Sequence, residues 1–237
     1  MTLPFRAEHV GSLLRPAALR DAFRARQSGR MDAAAFEETM ARCIREAVAM
    51  QESIGLEVIT DGEFRRGSWF FGFVQAVEGF AVRPAEFGFH DCAGATLAFD
   101  TAYAAARLKR TRGIVTDDFR FLKPVTRRTA KVTIPAPSVS HFFRPADPFD
   151  RAVYANAEAY WRDLVAIYRE EIAELARLGC TYVQLDEVPL AMMSDPNVQA
   201  RLRAAGQDPE ALLDTYIRMA NAALSGRPAT MKAAMHL

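Results

Sequence analysis

Leu178-Gly179-Cys180-Thr181-Tyr182-Val183-Gln184-Leu185-Asp186-Glu187 is the stretch on which the fold turns. Its glycine stops a helix, a short β-rich run follows, and two acids stand at the end of that run. Upstream, Asp150 to Leu178 reads as one long helix. Tyr160, Trp161, Leu164, Ile167, Tyr168, Ile172, Leu175 and Leu178 fall at the spacing of a single apolar face. Cys180 to Leu185 reads as a strand. Because strand side chains alternate, one of Asp186 and Glu187 is turned inward and the other aside.

The same unit occurs twice more. In the first copy Asp32 caps a helix whose apolar face carries Phe36, Met40, Ile44, Ala47, Val48 and Ile54. Gly55 ends that helix, Leu56 to Thr60 reads as a strand, and Asp61-Gly62-Glu63 follows. In the last copy Asp208-Pro209 is a cap followed by proline at the first helical position. That helix runs to about Ser225, Gly226 ends it, and Ala229 to Met235 forms a strand that delivers His236.

Repeated helix–glycine–strand units predict an α/β protein with parallel strands. A TIM (β/α)8-type barrel competes with an open doubly wound sheet. No GxGxxG or GxxxxGK[ST] loop follows an early strand, which weighs against the nucleotide-binding open sheet. Ser12, Glu63, Asp186 and His236 sit at strand ends, where barrels keep their active sites. The barrel-type strands are Phe5–Val10, Glu57–Thr60, Lys131–Ile134, Thr181–Leu185 and Ala229–Met235. A closed barrel has about eight, so the barrel is expected to be incomplete in this chain. Residues 80–121 break the rhythm and read as an irregular excursion over one end of the barrel, a hairpin with a short helix at Thr101 to Leu108. Phe119–Val125 and Thr129–Ile134 read as short strands. With no low-complexity linker, residues 1–237 are expected to form a single domain.

Composition narrows the classes of function. The chain of 237 residues is 50% hydrophobic and 25% charged, with a formal net charge of +1. That balance gives no electrostatic footprint for nucleic acid or an anionic membrane as partner. The basic stretches Lys109–Arg112 and Arg127–Arg128 read as solvated faces. No run approaches the ~20 apolar residues of a membrane span, and no signal-peptide pattern opens the chain. Three cysteines make no disulfide framework and fit a reducing cytoplasm. Cys43 and Cys180 read as small core residues. His90-Asp91-Cys92 has a zinc-like spacing but no second ligand pair near it.

Each chemical cluster has two readings at this level. Gly11-Ser12 after a strand is either a tight turn or a cradle of N–H groups and a hydroxyl for a carboxylate or phosphate. Asp61-Gly62-Glu63-Phe64-Arg65-Arg66 is either a salt-bridged loop or a grip on a zwitterion such as an amino acid. Asp186-Glu187 serves acid/base work, an ammonium group, or a structural pair with an arginine. His236 is a metal ligand, a general base or a satisfied core residue.

Taken in order, several segments resemble the cobalamin-independent methionine synthase family, in its short bacterial branch that has only the catalytic barrel. They are Arg6-Ala7-Glu8-His9-Val10-Gly11-Ser12-Leu13-Leu14-Arg15-Pro16, Thr60-Asp61-Gly62-Glu63-Phe64-Arg65-Arg66, Lys131-Val132-Thr133-Ile134-Pro135-Ala136-Pro137-Ser138, Val183-Gln184-Leu185-Asp186-Glu187 and Met235-His236-Leu237. The resemblance implies a TIM barrel that moves a methyl group from a methyltetrahydrofolate to the thiol of homocysteine, held as a thiolate on zinc. It implies that Ser12, Glu63 and Asp186 bind the amino acid portion of homocysteine and that His236 is a zinc ligand, the histidine of a His-x-Cys motif. Zinc suits the reaction, because a free thiol near pKa ~8.5 is mostly protonated at neutral pH and coordination deprotonates it. The general acid for the folate amine has no assignment. The chain departs from the pattern after Leu237, before the expected cysteine and the glutamate and second cysteine beyond it. It is therefore expected to be a fragment or remnant lacking the family's activity. Relatives that alkylate coenzyme M or take methyl groups from corrinoid proteins, and a non-catalytic amino-acid-binding remnant, are the alternatives. A glycoside hydrolase using Asp186 and Glu187 ranks below them.

Overall fold

The computed structural model describes residues 7–86, 89–90, 96–97 and 99–237. Phe5 and Arg6, at the start of the first expected strand, and Asp91-Cys92 of the zinc-like spacing lie outside the described residues, as does the side chain of His90. Ala7–Val10 is described and forms no strand.

Helix α1 (Ala17–Gln27) packs on α2 (Ala33–Ser53), with the Phe23 and Phe36 rings edge to face at 5.0 Å. Asp32 caps α2, accepting from the Ala35 N–H at 2.8 Å. Met40, Cys43, Ile44, Ala47 and Val48 are buried on its inner face. Ile54, expected on that face, instead lies past the helix end and is 66% exposed. Strand β1 (Val58–Ile59) follows, and α3 (Phe71–Ala76) runs straight into β2 (Val77–Pro84). The two-residue strands β3 (Phe89–His90) and β4 (Thr96–Leu97) pair antiparallel.

Strand β5 (Asp100–Arg110) then pairs antiparallel with β2, from Val77 opposite Arg110 to Pro84 opposite Asp100, with a bulge between Glu78 and Phe80. This corrects the helix expected at Thr101–Leu108. Its alanines favour a helix, but propensity is a weak prior against a full ladder. Ala102 and Ala104 are fully buried under neighbouring elements, where only small side chains fit.

The strand expected at Phe119–Val125 is also corrected, to helix α4 (Thr116–Leu122) and a turn. Asp117 and Asp118 stand in its first turn, favourable beside the positive helix end, and Phe119 and Leu122 are buried one turn apart. Strands β6 (Thr129–Ala130) and β7 (Val132–Pro135) are one run broken at Lys131, and α5 (Val139–Phe142) follows.

The long helix α6 (Ala157–Arg177) starts later than expected. Asn156 caps it, accepting from the Ala159 N–H at 2.9 Å, while Asp150 closes a turn by accepting from the Ala152 N–H at 2.8 Å. Tyr160, Trp161, Leu164, Ile167, Tyr168, Ile172 and Leu175 are buried along it. Each such side chain contributes about 1.5–3 kcal/mol by leaving water. Gly179 at φ +86° turns the chain out of α6, a conformation open to glycine at little cost. Strand β8 (Tyr182–Asp186), helices α7 (Val188–Met192), α8 (Pro196–Ala204) and α9 (Pro209–Leu224), and strand β9 (Lys232–His236) complete the order.

The run through residues 129–135 carries β1 on one side, at β6, and β8 on the other, at β7; β8 in turn carries β9. All these pairs are parallel, so their carboxyl ends share one rim. The architecture is α/β, with parallel and antiparallel sheets, and matches an incomplete TIM-barrel-like arc; among the described residues no barrel closes. Cys43 and Cys180 are buried in the core.

In the basic stretch Lys109–Arg112, Lys109 and Arg112 are exposed as expected, but Arg110 is not on a solvated face. The Arg110 guanidinium is largely buried and pairs with Glu171 at 2.7 Å and with Glu174. Glu171, fully buried, also accepts from the Ile114 and Val115 N–H groups. Among the described residues no helix is long and apolar enough to cross a membrane.

Candidate functional site

The carboxyl-end rim gathers the predicted residues in two steps. Beyond β1, Gly62 and Glu63 both have positive φ, +71° and +57°. A left-handed glutamate costs about 1 kcal/mol or more, and the turn folds its side chain back over the strand ends. Glu63 is buried. Its Oε1 accepts from the Thr133 hydroxyl at 2.7 Å, and its Oε2 pairs with Arg66 Nη1 at 3.1 Å. Arg66 donates to the Thr133 hydroxyl at 2.7 Å and to the Thr133 carbonyl as well, so one arginine ties the Glu63 turn to β7.

Gly11 is packed against this carboxylate. A Cβ there would lie 2.5 Å from Glu63 Oε1 and 2.8 Å from Thr133 Cγ2, so only glycine allows the approach. The Thr60 hydroxyl donates to the Gly11 carbonyl at 2.6 Å, and the Leu13 N–H donates to the Gly62 carbonyl at 3.1 Å. Ser12 is exposed and lines a cavity of about 200 Å³ with Glu63, Arg66, Arg15 and Trp69. Arg15 donates to the carbonyls of Phe64 and Arg66, which holds its charge beside Ser12.

At the ends of β8 and β9, Asp186 faces His236 across the ladder, with 3.5 Å between Asp186 Oδ1 and His236 Nδ1. Asp186 is buried, and its Oδ1 accepts from the Gln184 amide at 2.7 Å. Burial pushes its carboxyl above the usual range, and the nearby charge of Glu63 adds to that rise. Both acids stand at the carboxyl end of β7, Glu63 on the Thr133 hydroxyl and Asp186 in register with Pro135, with Arg66 and His236 as nearby positive partners. His236 is 40% exposed and sits with Glu8, His9 and Gln184 around a shallow cleft.

The neighbouring acid behaves differently. Glu187 is fully buried on the other side of β8. Its Oε1 accepts from the Ser138 hydroxyl at 2.5 Å and from the Leu190 N–H at 3.3 Å, and its Oε2 has no partner among the described residues. Burial pushes its carboxyl up to about 7. Behind it, His141 and Tyr216 share a hydrogen bond of 2.9 Å, and burial drives His141 down to about 3. Asp186 and Glu187 thus open on different spaces and cannot flank one glycosidic bond, which removes the hydrolase reading.

The structure brings Glu63, Asp186 and His236 to one rim and places Ser12 in the cavity beside Glu63. Arg65 is not part of this set; it pairs with Glu37 at 2.6 Å and stacks on Phe121. Arg15, Thr133, Gln184 and Lys131 belong to the site's frame and escaped the sequence reading. Arg15 and Gln184 had signals, since each lies in a motif segment that also holds an assigned residue, Ser12 and Asp186. Among the described residues no group of three His, Cys, Asp or Glu side chains is placed to hold a metal.

Comparison with known proteins places this geometry. Residues 5–205 match the model of the cobalamin-independent synthase, catalytic domain. The chain belongs to that family. Protein YxjH of Bacillus subtilis (strain 168), itself uncharacterised, is 32% identical over 99% of this chain and 61% of its own length. Methionine synthase of Saccharolobus solfataricus is 27% identical over 76% of this chain and 52% of its own length. The crystal structure of a candidate vitamin-B12 independent methionine synthase from Listeria monocytogenes covers all of this chain at a TM-score of 0.78 and 30% identity, matching 66% of that chain. The chain thus spans 61% of the length of the first of these curated relatives. Family membership supports a methyltransferase-type role.

Proposed function

We infer that this chain carries the amino-acid-binding side of an S-methyltransferase site, with homocysteine as the thiol acceptor and a methyltetrahydrofolate-type donor. One observation carries the reading: two buried acids, Glu63 on the Thr133 hydroxyl and Asp186 in register with Pro135, stand together at the carboxyl end of β7. Arg66 balances Glu63, so two acids stand against one arginine there, and a partly dry site of that kind favours a further cation. An ammonium group supplies that cation. Ser12, with Arg15 beside it, offers a hydroxyl and positive charge to the ligand's carboxylate. Coenzyme M has a sulfonate and no ammonium, so the two acids oppose it as acceptor.

His236 stands at the same rim as the candidate zinc ligand. The described residues place no further ligands around it and do not by themselves make a metal centre, so no step here runs through one. What the chain's own residues do is bind and orient: the acids fix the ammonium, Ser12 fixes the carboxylate, and the side chain is left to run along the rim toward His236.

Titration calorimetry with L-methionine and its des-amino analogue 4-(methylthio)butanoate tests the reading. Methionine is expected to bind at least ~10-fold more tightly, the scale of one charge-assisted hydrogen bond. Equal affinity for the two compounds, or no binding of methionine, would sink the proposal.

A further inference from the structure

Lys131 is a lysine with 1% exposure that touches neither Glu63 nor Asp186. Its ammonium donates to the His9 carbonyl at 2.6 Å, to Glu8 Oε1 at 3.0 Å and to Gln184 Oε1 at 3.0 Å. It lies at the break between β6 and β7, beneath the rim, with the Tyr182 ring 5.7 Å away. A buried ammonium is costly unless all its donors are used, and here three oxygens take them.

Gln184 is the link to the rim. Its amide oxygen faces Lys131, and its Nε2 donates to the Val10 carbonyl at 2.8 Å and to Asp186 Oδ1 at 2.7 Å. Lysine can only donate, so it demands the oxygen of the amide. Turning the amide over would set NH2 against the ammonium. The same turn would set the amide oxygen against both the Val10 carbonyl and the Asp186 carboxylate. These contacts fail together, in a low-dielectric setting where each unmade bond is expensive.

We propose that Lys131 is a positioning residue for the rim: acting through Gln184, it holds Asp186 as an acceptor with Oδ1 occupied and Oδ2 left for the ligand's ammonium, and it clamps Glu8–Val10 so that Gly11-Ser12 lies against Glu63. The inference rests on the ammonium-binding reading above. It explains why Ala7–Val10 sits at the arc without strand pairing: the segment is tied through its carbonyls to side chains of β8 and of the β6–β7 break. It also assigns a role to Gln184, whose amide is taken up by Lys131, Val10 and Asp186.

The test uses the whole chain with Lys131→Met and, separately, Gln184→Met, which leaves Lys131 its bonds to Glu8 and His9. Near-UV circular dichroism checks that each variant is folded. The probes are L-methionine and 4-(methylthio)butanoate by calorimetry. Both variants are expected to lose about 10-fold in methionine affinity and less than about 2-fold for the analogue, so the preference for the ammonium compound shrinks. A merely structural lysine would weaken both ligands alike or neither. In the unaltered chain, NMR is expected to show the Gln184 side-chain amide protons exchanging at least ~10-fold more slowly than those of exposed Gln27. Folded variants that keep the full preference overturn the proposal, and so does a rapidly exchanging Gln184 amide. If the unaltered chain shows no preference, the ammonium reading falls and takes the positioning role with it, while slow Gln184 exchange would show that the lock itself exists.

Discussion

Asp186 and Glu187 are adjacent acids on one strand end, and they belong to opposite worlds. Asp186 opens on the rim, near Glu63 and His236, and keeps one oxygen unpaired by protein. Glu187 is sealed among α5, α6 and α9, bonded to Ser138, with Tyr168 and Tyr216 close by. Burial raises the carboxyl in both places. At the rim, under the proposed reading, a ligand's ammonium would offset that rise. In the buried pocket no charged partner reaches Glu187 among the described residues, and it holds its proton up to about pH 7. Neighbouring carboxyl groups thus serve as a proposed ligand contact on one face of the strand and a structural hydrogen bond on the other.

The sharpest way to break this comparison is to neutralise each acid in turn. Glu63→Gln or Asp186→Asn should weaken L-methionine binding by ~10- to 100-fold in calorimetry. Glu187→Gln should change it by less than about 2-fold. If Glu187→Gln proves as damaging as Asp186→Asn, the two faces are not separate.

Gly11→Ala tests the close packing at the rim. Its new methyl group must displace Glu63 or Thr133, at a cost of about 1–3 kcal/mol in chemical denaturation, with weaker methionine binding in step. Unchanged stability would mean that the Gly11–Glu63 approach is looser than described.

The sealed pocket should announce itself in the pH dependence of folding. Glu187 holds its proton up to about 7 in the fold, above the 4.5 of the free group. Its contribution is complete below pH 4.5 and is lost as pH rises through about 7, amounting to about 3 kcal/mol. Glu187→Gln should flatten that fall in urea titrations between pH 5 and 8. His141 has the opposite sign. Its pKa is about 3 in the fold against 6.5 free, so stability is lost as pH falls from 6.5 toward 3. His141→Gln should remove that acid-side loss. Between pH 4.5 and 6.5 the two slopes oppose each other, and either single variant should expose the other's slope.

The smallest effect expected is that of Tyr216→Phe, which removes one neutral hydrogen bond to His141. About 1 kcal/mol of stability should go, with methionine binding unchanged. A change in binding would connect the sealed pocket to the rim.

Much of this was legible in the chain. The helix–glycine–strand units around Gly55, Gly179 and Gly226 are local events, written in caps, apolar spacing and stop residues, and they recur in the structure. Local signals failed where a partner elsewhere decided the outcome. The alanine-rich run Thr101–Leu108 became strand because β2 lay beside it, and Phe119–Val125 gave way to a helix that packs on α6, with Phe119 and Leu122 buried one turn apart. Arg110 looked like a surface charge until α6 brought Glu171 and Glu174 to it.

The site divides in the same way. The sequence by itself determined which residues stand at strand ends, since alternation and strand length put Glu63, Asp186 and His236 there. Only the tertiary structure decided which of them share a space, because that depends on parallel strands far apart in the chain laying their carboxyl ends on one rim. It also decided that Asp186 stays in reach of a ligand while Glu187 is buried, and that Lys131, Gln184 and Thr133 brace the acids. A side chain's partners across 50 to 120 residues of chain follow from packing, and no local pattern encodes them.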